Sequence, residues 1–152
     1  MYNELKEKRF QLAVIGLGYV GLPIALEFAG KLKVTGFDIR ADRIEEMKKN
    51  INPSREIDSG SFLGKDIVFT SDPKDLEEAR FFVIAVPTPI DIHKNPDLSP
   101  LLSATETVAK VLKKGDYVVY ESTVYPGCTE DDCVPVLEKG SGLKFKHNFK
   151  VG

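Results

Sequence analysis

The sequence predicts an α/β fold in which helices cover both faces of a mostly parallel sheet, in a three-layer αβα arrangement. Three observations predict it. Apolar, β-rich runs alternate along the chain with segments whose apolar residues recur at helical spacing. A glycine-rich turn joins the first such run to the first helical segment. A later run, FFVIAV at residues 81–86, is almost continuously apolar, which is typical of a strand covered on both faces.

The predicted elements follow one another in strand–helix order. Strands are expected at residues 10–15, 33–38, 67–70, 81–86 and 117–120, and the partly alternating segment 143–151 is typical of an edge strand. Helices are expected at residues 19–32, 41–50, 75–79, 99–113 and 129–138. The segment 51–65 is rich in Pro, Ser and Gly, so it is interpreted as a long connection. Thr129 and Asp132 have the spacing of a capping box at the start of the last helix.

Length and charge favour one globular domain. The chain has 152 residues, of which 42% are hydrophobic and 29% charged. Its 21 basic and 23 acidic residues give a formal charge of -2, which lacks the basic excess of nucleic-acid-binding proteins. There is no apolar run of membrane-spanning length, and the N-terminal residues MYNELKEKRF are too charged for a signal peptide. We therefore expect a cytoplasmic protein with neither nucleic acid nor a membrane as partner.

The cysteines and histidines predict neither a nucleophile nor a metal site. Cys128 precedes a predicted helix, where a thiolate can be favoured, but the acidic residues 130–132 oppose a negative charge there. Cys133 is expected in the core. His93 and His147 lack the spacing of metal ligands, so both are expected at the surface.

The strongest motif is GLGYVG, a GxGxxG formed by Gly16, Gly18 and Gly21. It lies between a predicted strand and a predicted helix, the context in which free amides at a helix N-terminus face a dinucleotide pyrophosphate in Rossmann-like folds. In that arrangement the first glycine allows a tight turn, the second lets phosphate approach the backbone, and the third lets the helix pack on the strand. A plain βα turn that needs flexibility is the alternative.

Asp38 ends the second predicted strand, 22 residues after Gly16. This is near the spacing of the carboxylate that binds the adenosine ribose hydroxyls of a dinucleotide. A 2′-phosphate beside this charge would be repelled, which favours NAD over NADP, although Arg40 and Arg43 are close enough in sequence to temper the repulsion. Alternatively, Asp38 is a solvated acid at a strand end, and Arg43 by itself is typical of a surface charge.

Two further loops follow predicted strands, and ligands collect at the carboxyl ends of strands in parallel sheets. VPTPI places Thr88 between two prolines, and ESTVYPG places Glu121, Ser122 and Thr123 after the fifth strand. Ordinary turn chemistry is the alternative for each loop.

The segments GLGYVGLPIALEF, FDI, AVPTPID and ESTVYPGCTEDDCVPVLE resemble the nucleotide-sugar 6-dehydrogenase family, also called the UDP-glucose/GDP-mannose dehydrogenase family. The resemblance covers nearly the whole chain and is greatest to the branch that oxidises UDP-N-acetylgalactosamine or UDP-N-acetylglucosamine. It implies oxidation of the sugar C6 alcohol to a carboxylate in two NAD-dependent hydride transfers, through a thiohemiacetal and a thioester on a cysteine.

The resemblance also implies roles for particular residues of an NAD-binding domain. The amides around Gly18, Tyr19 and Val20 would bind the pyrophosphate, and Asp38 and Arg43 the adenosine ribose. Thr88 would contact the cofactor, and Ser122 and Thr123 would lie near the nicotinamide. Thr123 would in addition help to position the hydrolytic water, which makes it the one catalytic candidate.

Members of this family are more than twice as long as this chain. Their central helix, UDP-binding domain, nucleophilic cysteine and catalytic lysine and asparagine have no counterpart here, and Cys128 does not occupy the nucleophile's position. We therefore expect residues 1–152 to be a truncated N-terminal NAD-binding domain, inactive alone, from an enzyme that acts on a UDP-sugar as a homodimer. A stand-alone NAD-binding regulatory module and a short β-hydroxy-acid dehydrogenase are the alternatives.

Overall fold

Six parallel strands form one sheet in the computed structural model, which describes residues 1–90 and 95–152. The strands are β1 Gln11–Ile15, β2 Val34–Phe37, β3 Ile67–Thr70, β4 Ala79–Ile84, β5 Tyr117–Tyr120 and β6 Lys150–Val151. They lie in the order β3-β2-β1-β4-β5-β6, and each neighbouring pair is parallel. The predicted α/β class is confirmed, with β4 in the middle of the sheet and β6 at its edge.

Helices cover both faces of this sheet. They are α1 Tyr2–Lys6, α2 Gly21–Ala29, α3 Ala41–Lys48, α4 Ser99–Ala109 and α5 Val134–Ser141. Successive side chains of a strand point to opposite faces. Accordingly, Leu12 and Val14 of β1 belong to one buried apolar cluster, with α2 and α3, whereas Ala13 and Ile15 belong to another, with α4 and α5. The three-layer arrangement therefore follows from alternating apolar side chains on a buried strand.

The strand order creates a crevice at the carboxyl edge of the sheet. From β1 the chain moves outward through β2 and β3, then returns to place β4 on the other side of β1. The loops that follow β1 and β4 therefore lead to opposite sides of the sheet. In open parallel sheets this switch point is where ligands bind.

Residues 75–79 do not form the predicted helix. Pro73–Leu76 is a short 3-10 turn, capped by the Asp72 carboxylate, which accepts a hydrogen bond from the Lys74 amide at 3.0 Å. Ala79 already belongs to β4, because it pairs with Gln11 at the start of β1. The strand consequently begins and ends two residues earlier than the prediction of 81–86.

The start of the last predicted helix is also different. Thr129–Cys133 is a π-helical turn preceded by Cys128, and no side chain caps it, so the predicted capping box is wrong. The Val134 amide donates to the Thr129 carbonyl, five residues back. The cause is Pro135, which has no N–H to donate and whose ring would clash with the carbonyl four residues earlier in a regular α-helix.

Other differences concern the ends of elements. The helices predicted at 19–32 and 99–113 are shorter, and the edge strand predicted at 143–151 is reduced to two residues. Helix α1 has no counterpart in the prediction, since five residues are too few to show a helical period, and only Leu5 among them is buried. No helix in the described ranges has both the length and the apolar character needed to cross a membrane.

Candidate functional site

A cavity of about 360 Å³ lies at the switch point, between the carboxyl ends of β1, β2 and β4 and one face of α4. Its size falls within the range of ligand pockets, roughly 300–1,000 Å³. One wall contains Gly16, Gly18, Asp38, Arg40 and Arg43. The opposite wall is made by α4, with Pro100, Ser103, Ala104 and Thr107.

The glycine-rich loop packs closely against the start of α2. Gly16 has a φ of +91°, a conformation that side chains disfavour, and its amide donates to the Phe37 carbonyl at 2.9 Å. A Cβ on Gly21 would lie 1.7 Å from the Gly16 carbonyl oxygen, so only glycine permits this contact. A Cβ on Gly18 would meet no atom within 4 Å, because Gly18 faces open space beside the cavity.

The backbone between this loop and α2 carries unused donors. Within residues 1–90 and 95–152, no group accepts a hydrogen bond from the amides of Gly18, Tyr19 or Val20. These residues immediately precede Gly21, where α2 begins, and the helix has no acidic residue in its first turn. The positive end of the helix dipole and three free amides therefore lie together, which is an arrangement that favours an anion.

Asp38 is half-buried where β2 ends and is held in a fixed orientation. One carboxylate oxygen accepts the Leu17 amide and the other accepts the Arg40 amide, each at 3.0 Å. These two bonds connect the glycine-rich loop to the segment that enters α3. Each carboxylate oxygen can accept a further hydrogen bond, so Asp38 can still bind hydroxyl groups in the cavity.

Arg43 links α3 to the same loop. Its Nη2 donates to the Leu17 carbonyl at 3.1 Å, whereas its buried Nε has no hydrogen-bond partner among the described residues. The side chain is thus not the solvated surface charge that its sequence context alone suggested. A buried donor without an acceptor costs free energy, and here it lies in a cavity wall that contains a carboxylate and free amides. The donor set fits a dinucleotide, which offers hydroxyl and phosphate oxygens.

The model of the UDP-glucose/GDP-mannose dehydrogenase family, NAD binding domain, matches residues 10–152. The chain belongs to this family. NAD is therefore the cofactor of the domain.

Similar proteins agree with the assignment of the chain to this family. The chain is 53% identical over 146 residues to the UDP-N-acetyl-D-glucosamine 6-dehydrogenase of Pseudomonas aeruginosa, covering 95% of this chain and 35% of that protein. It is 55% identical over 141 residues to Protein CapL of Staphylococcus aureus, covering 93% and 33%. The structure of the UDP-D-ManNAc dehydrogenase from Pyrococcus horikoshii superposes with a TM-score of 0.83 at 36% identity, over 93% of this chain and 35% of that one. The chain thus spans about a third of the length of these relatives.

The loops after β4 and β5 lie beside the cavity of this NAD-binding domain. The Thr88 hydroxyl donates to the Thr123 carbonyl at 2.6 Å, and the Ser122 hydroxyl donates to the Val86 carbonyl at 2.7 Å. The Glu121 amide also donates to the Ile84 carbonyl at 2.8 Å. The structure therefore brings Thr88, Ser122 and Thr123 together, but none of the three contributes to the cavity wall that contains Asp38.

Sequence reasoning missed the cavity residues outside the motifs. Ile39 is 79% exposed although it is a large apolar residue, and it lies in the cavity wall next to Asp38. Ser103 and Thr107 are four residues apart on α4, so they share the helix face that lines the cavity. The position of Ile39 directly after the strand-ending acid could have marked it as a cavity residue from sequence. Nothing local distinguishes Ser103 and Thr107 from other helix surface residues.

The cysteines of this family member are core residues. Cys128 and Cys133 are fully buried, and burial raises the pKa of both thiols, to about 11 for Cys133. A thiol that stays protonated at neutral pH is a poor nucleophile, as expected for Cys128 from its acidic neighbours. Within the described ranges, no three His, Cys, Asp or Glu side chains lie close enough to hold a metal ion. His147 is exposed, and His93 lies outside the described residues.

Proposed function

We propose that this chain is the NAD-binding part of a UDP-sugar 6-dehydrogenase, which oxidises the C6 alcohol of the sugar to a carboxylate in two NAD-dependent steps. The observation that carries the proposal is the switch-point cavity, whose wall contains the fixed Asp38 carboxylate, Gly18 and Arg43, with the free amides of Tyr19 and Val20 next along the loop. When bound, NAD would supply the hydride acceptor for each of the two steps. The residues of this chain bind and orient the cofactor.

The adenosine half of the cofactor is assigned to the wall formed by β1, β2 and α3. The amides of Gly18, Tyr19 and Val20 donate to the pyrophosphate, supported by the α2 dipole. Asp38 would accept hydrogen bonds from the ribose hydroxyls, and Arg43, through its bond to the Leu17 carbonyl, would hold the glycine-rich loop beside the ribose. Gly16 and Gly21 act through the backbone, since they allow the close turn that places these amides. Ile39, with Pro100 and Ala104 of α4, would supply apolar contact area for the adenine ring.

The nicotinamide half is assigned to the loops after β4 and β5. The Thr88 hydroxyl donates within the protein to the Thr123 carbonyl and keeps acceptor capacity for the cofactor. Ser122 is fixed by its bond to the Val86 carbonyl and lies in the loop assigned to the nicotinamide. Thr123 is exposed, and its hydroxyl is proposed to position the water that hydrolyses the thioester.

The names of the relatives support the proposed substrate. Two of them are named UDP-N-acetyl-D-glucosamine 6-dehydrogenase, which favours a UDP-N-acetylhexosamine over UDP-glucose. We propose a cytoplasmic homodimer that makes uronic acid precursors for a polysaccharide. Since Cys128 and Cys133 are buried and protonated, the catalytic nucleophile is assigned to a segment other than residues 1–152, and this chain alone binds NAD without oxidising a sugar.

Titration of the chain with NADH and NADPH tests the proposal. The protein has no tryptophan, so the nicotinamide fluorescence can be followed without interference. We expect saturable binding of NADH and weaker binding of NADPH. Arg43→Met removes the guanidinium, including its bond to the Leu17 carbonyl, while it keeps the apolar stem, and should weaken NADH binding. Absence of binding by the unmodified chain would contradict the assignment of the cavity.

A further inference from the structure

A second arginine, Arg40, borders the cavity next to Asp38, and its guanidinium already forms an ion pair within the protein. The Arg40 guanidinium forms a two-point bond with the Asp42 carboxylate, Nε to Oδ1 at 3.2 Å and Nη2 to Oδ2 at 2.6 Å. The two side chains are 61% and 65% exposed. Hydrogen bonding between them raises the pKa of Arg40 and lowers that of Asp42, so both remain ionised at neutral pH.

Arg40 occupies the position from which a cation could reach a ribose 2′-phosphate. Its backbone amide donates to Asp38 Oδ1 at 3.0 Å, which places the residue beside the carboxylate assigned to the ribose. In dinucleotide-binding folds an arginine near this acid accommodates the 2′-phosphate of NADP. An unpaired Arg40 would therefore offset the repulsion between Asp38 and that phosphate.

The other arginine of this wall is not a substitute. Arg43 is tied to the Leu17 carbonyl through Nη2, and its Nε is buried, so its side chain is committed to the glycine-rich loop. Arg40 is exposed and is held by Asp42 alone among the described side chains. The Arg40 guanidinium is therefore a mobile cation next to Asp38 only when Asp42 does not hold it.

We propose that Asp42 is a specificity-determining residue, which holds the Arg40 guanidinium and thereby withholds it from a 2′-phosphate. This inference rests on the proposed function, because it requires that the adenosine ribose bind at Asp38. Asp42 acts without touching the cofactor. Because Arg40 is held away, the negative charge of Asp38 continues to repel a 2′-phosphate, which increases the preference for NAD over NADP.

The test is a double-mutant cycle in the full chain, with NADH and NADPH titrations at low ionic strength. Asp42→Asn should tighten NADPH binding about two- to fivefold, the range expected when one exposed cation is released, and should change NADH binding less than this. In the Arg40→Gln background, Asp42→Asn should change NADPH binding less than about twofold. High salt should shrink the gain, since exposed charges are screened.

Glu45→Gln provides a matched control on the same helix. Glu45 is 62% exposed and pairs with Lys48 at 2.9 Å, so this variant removes one carboxylate from α3 and leaves Arg40 bound. It should not change the ratio of the NADH and NADPH affinities.

Three outcomes would overturn the inference. NADPH binding unchanged in Asp42→Asn would show that Arg40 does not reach the phosphate. An equal gain in the Arg40→Gln background or in Glu45→Gln would show a general effect of charge. If NADH does not bind the unmodified chain, both the proposed function and the inference are wrong. If NADH binds and either of the other two outcomes is found, only the inference is wrong.

Discussion

The two halves of the carboxyl edge differ in how their polar groups are used. On the β1–β2 side, the amides of residues 18–20 and the Arg43 Nε have no acceptor among the described residues, and a cavity lies beside them. On the β4–β5 side, the hydroxyls of Thr88 and Ser122 are both bound to carbonyls of the facing loop. The first half thus has backbone and guanidinium donors without an acceptor among the described residues, whereas in the second half these two hydroxyls already donate within the protein.

This difference indicates which of the two sides should contribute more of the binding free energy of a dinucleotide. Amides without an acceptor in the protein exchange a hydrogen bond to water for one to the ligand, a net gain of about 0.5–1.5 kcal/mol each and more to a charged group, whereas hydroxyls that already donate within the protein gain little. The β1–β2 side should therefore provide most of the affinity, and the β4–β5 side should provide orientation. Substitutions in the two halves should accordingly affect binding and stability in different proportions.

The largest effect is expected for Gly21→Ala. The added Cβ would lie 1.7 Å from the Gly16 carbonyl oxygen, a backbone atom that cannot move without opening the loop. We expect loss of NADH binding by more than about 100-fold and a decrease in the free energy of unfolding of about 2–4 kcal/mol, measured by fluorescence titration and urea unfolding.

Gly18→Ala is the matched control, because a Cβ there meets no atom within 4 Å. Its unfolding free energy should change by less than about 1 kcal/mol, although the methyl group projects into the space assigned to phosphate. Equal stabilities for the two variants would show that the Gly16–Gly21 contact does not organise the loop.

A smaller effect is expected for Asp38→Ala. Loss of a charged acceptor should weaken NADH binding by about 1.5–3 kcal/mol, or roughly 10- to 150-fold, and NADPH binding less, because the repulsion of the 2′-phosphate disappears as well. Asp72→Ala is the control, since Asp72 also accepts a backbone amide but lies outside the cavity wall. Equal losses for the two cofactors would remove Asp38 from the ribose site.

The smallest effect on binding is expected for Ser122→Ala, on the β4–β5 side. It removes the hydrogen bond to the Val86 carbonyl, so the free energy of unfolding should fall by about 0.5–1.5 kcal/mol. NADH affinity should stay within about threefold, measured by the same titration. A loss of affinity as large as that of Asp38→Ala would abolish the distinction between the two halves.

Local patterns predicted the parts of the fold that depend on neighbouring residues. The strands Ile67–Thr70 and Tyr117–Tyr120 have the predicted bounds, and the helix predicted at 41–50 begins at Ala41 as predicted. The predictions failed where a distant residue decides the structure. Ala79 is a strand residue because it pairs with Gln11, which no local pattern of residues 75–79 can show.

The same distinction applies to the candidate site. The motif residues Gly16 and Asp38 were found from spacing along a single βαβ unit, and both line the cavity. Ser103 and Thr107 reach it only because the chain crosses back over the sheet to form α4. The hydrogen bond from Thr88 to Thr123 depends on the register of β4 against β5, which periodicity does not specify.

The central position of β1 also sets the order in which the site can form during synthesis. Residues 11–15 are made first, but their second neighbour in the sheet is residues 79–84, and the far wall of the cavity is residues 100–107. At about 5–20 residues per second, the glycine-rich loop waits roughly 5–20 s on the ribosome before α4 exists. The β1 edge that pairs with β4 stays unpaired until residues 79–84 are made, and an unpaired strand edge is prone to aggregation.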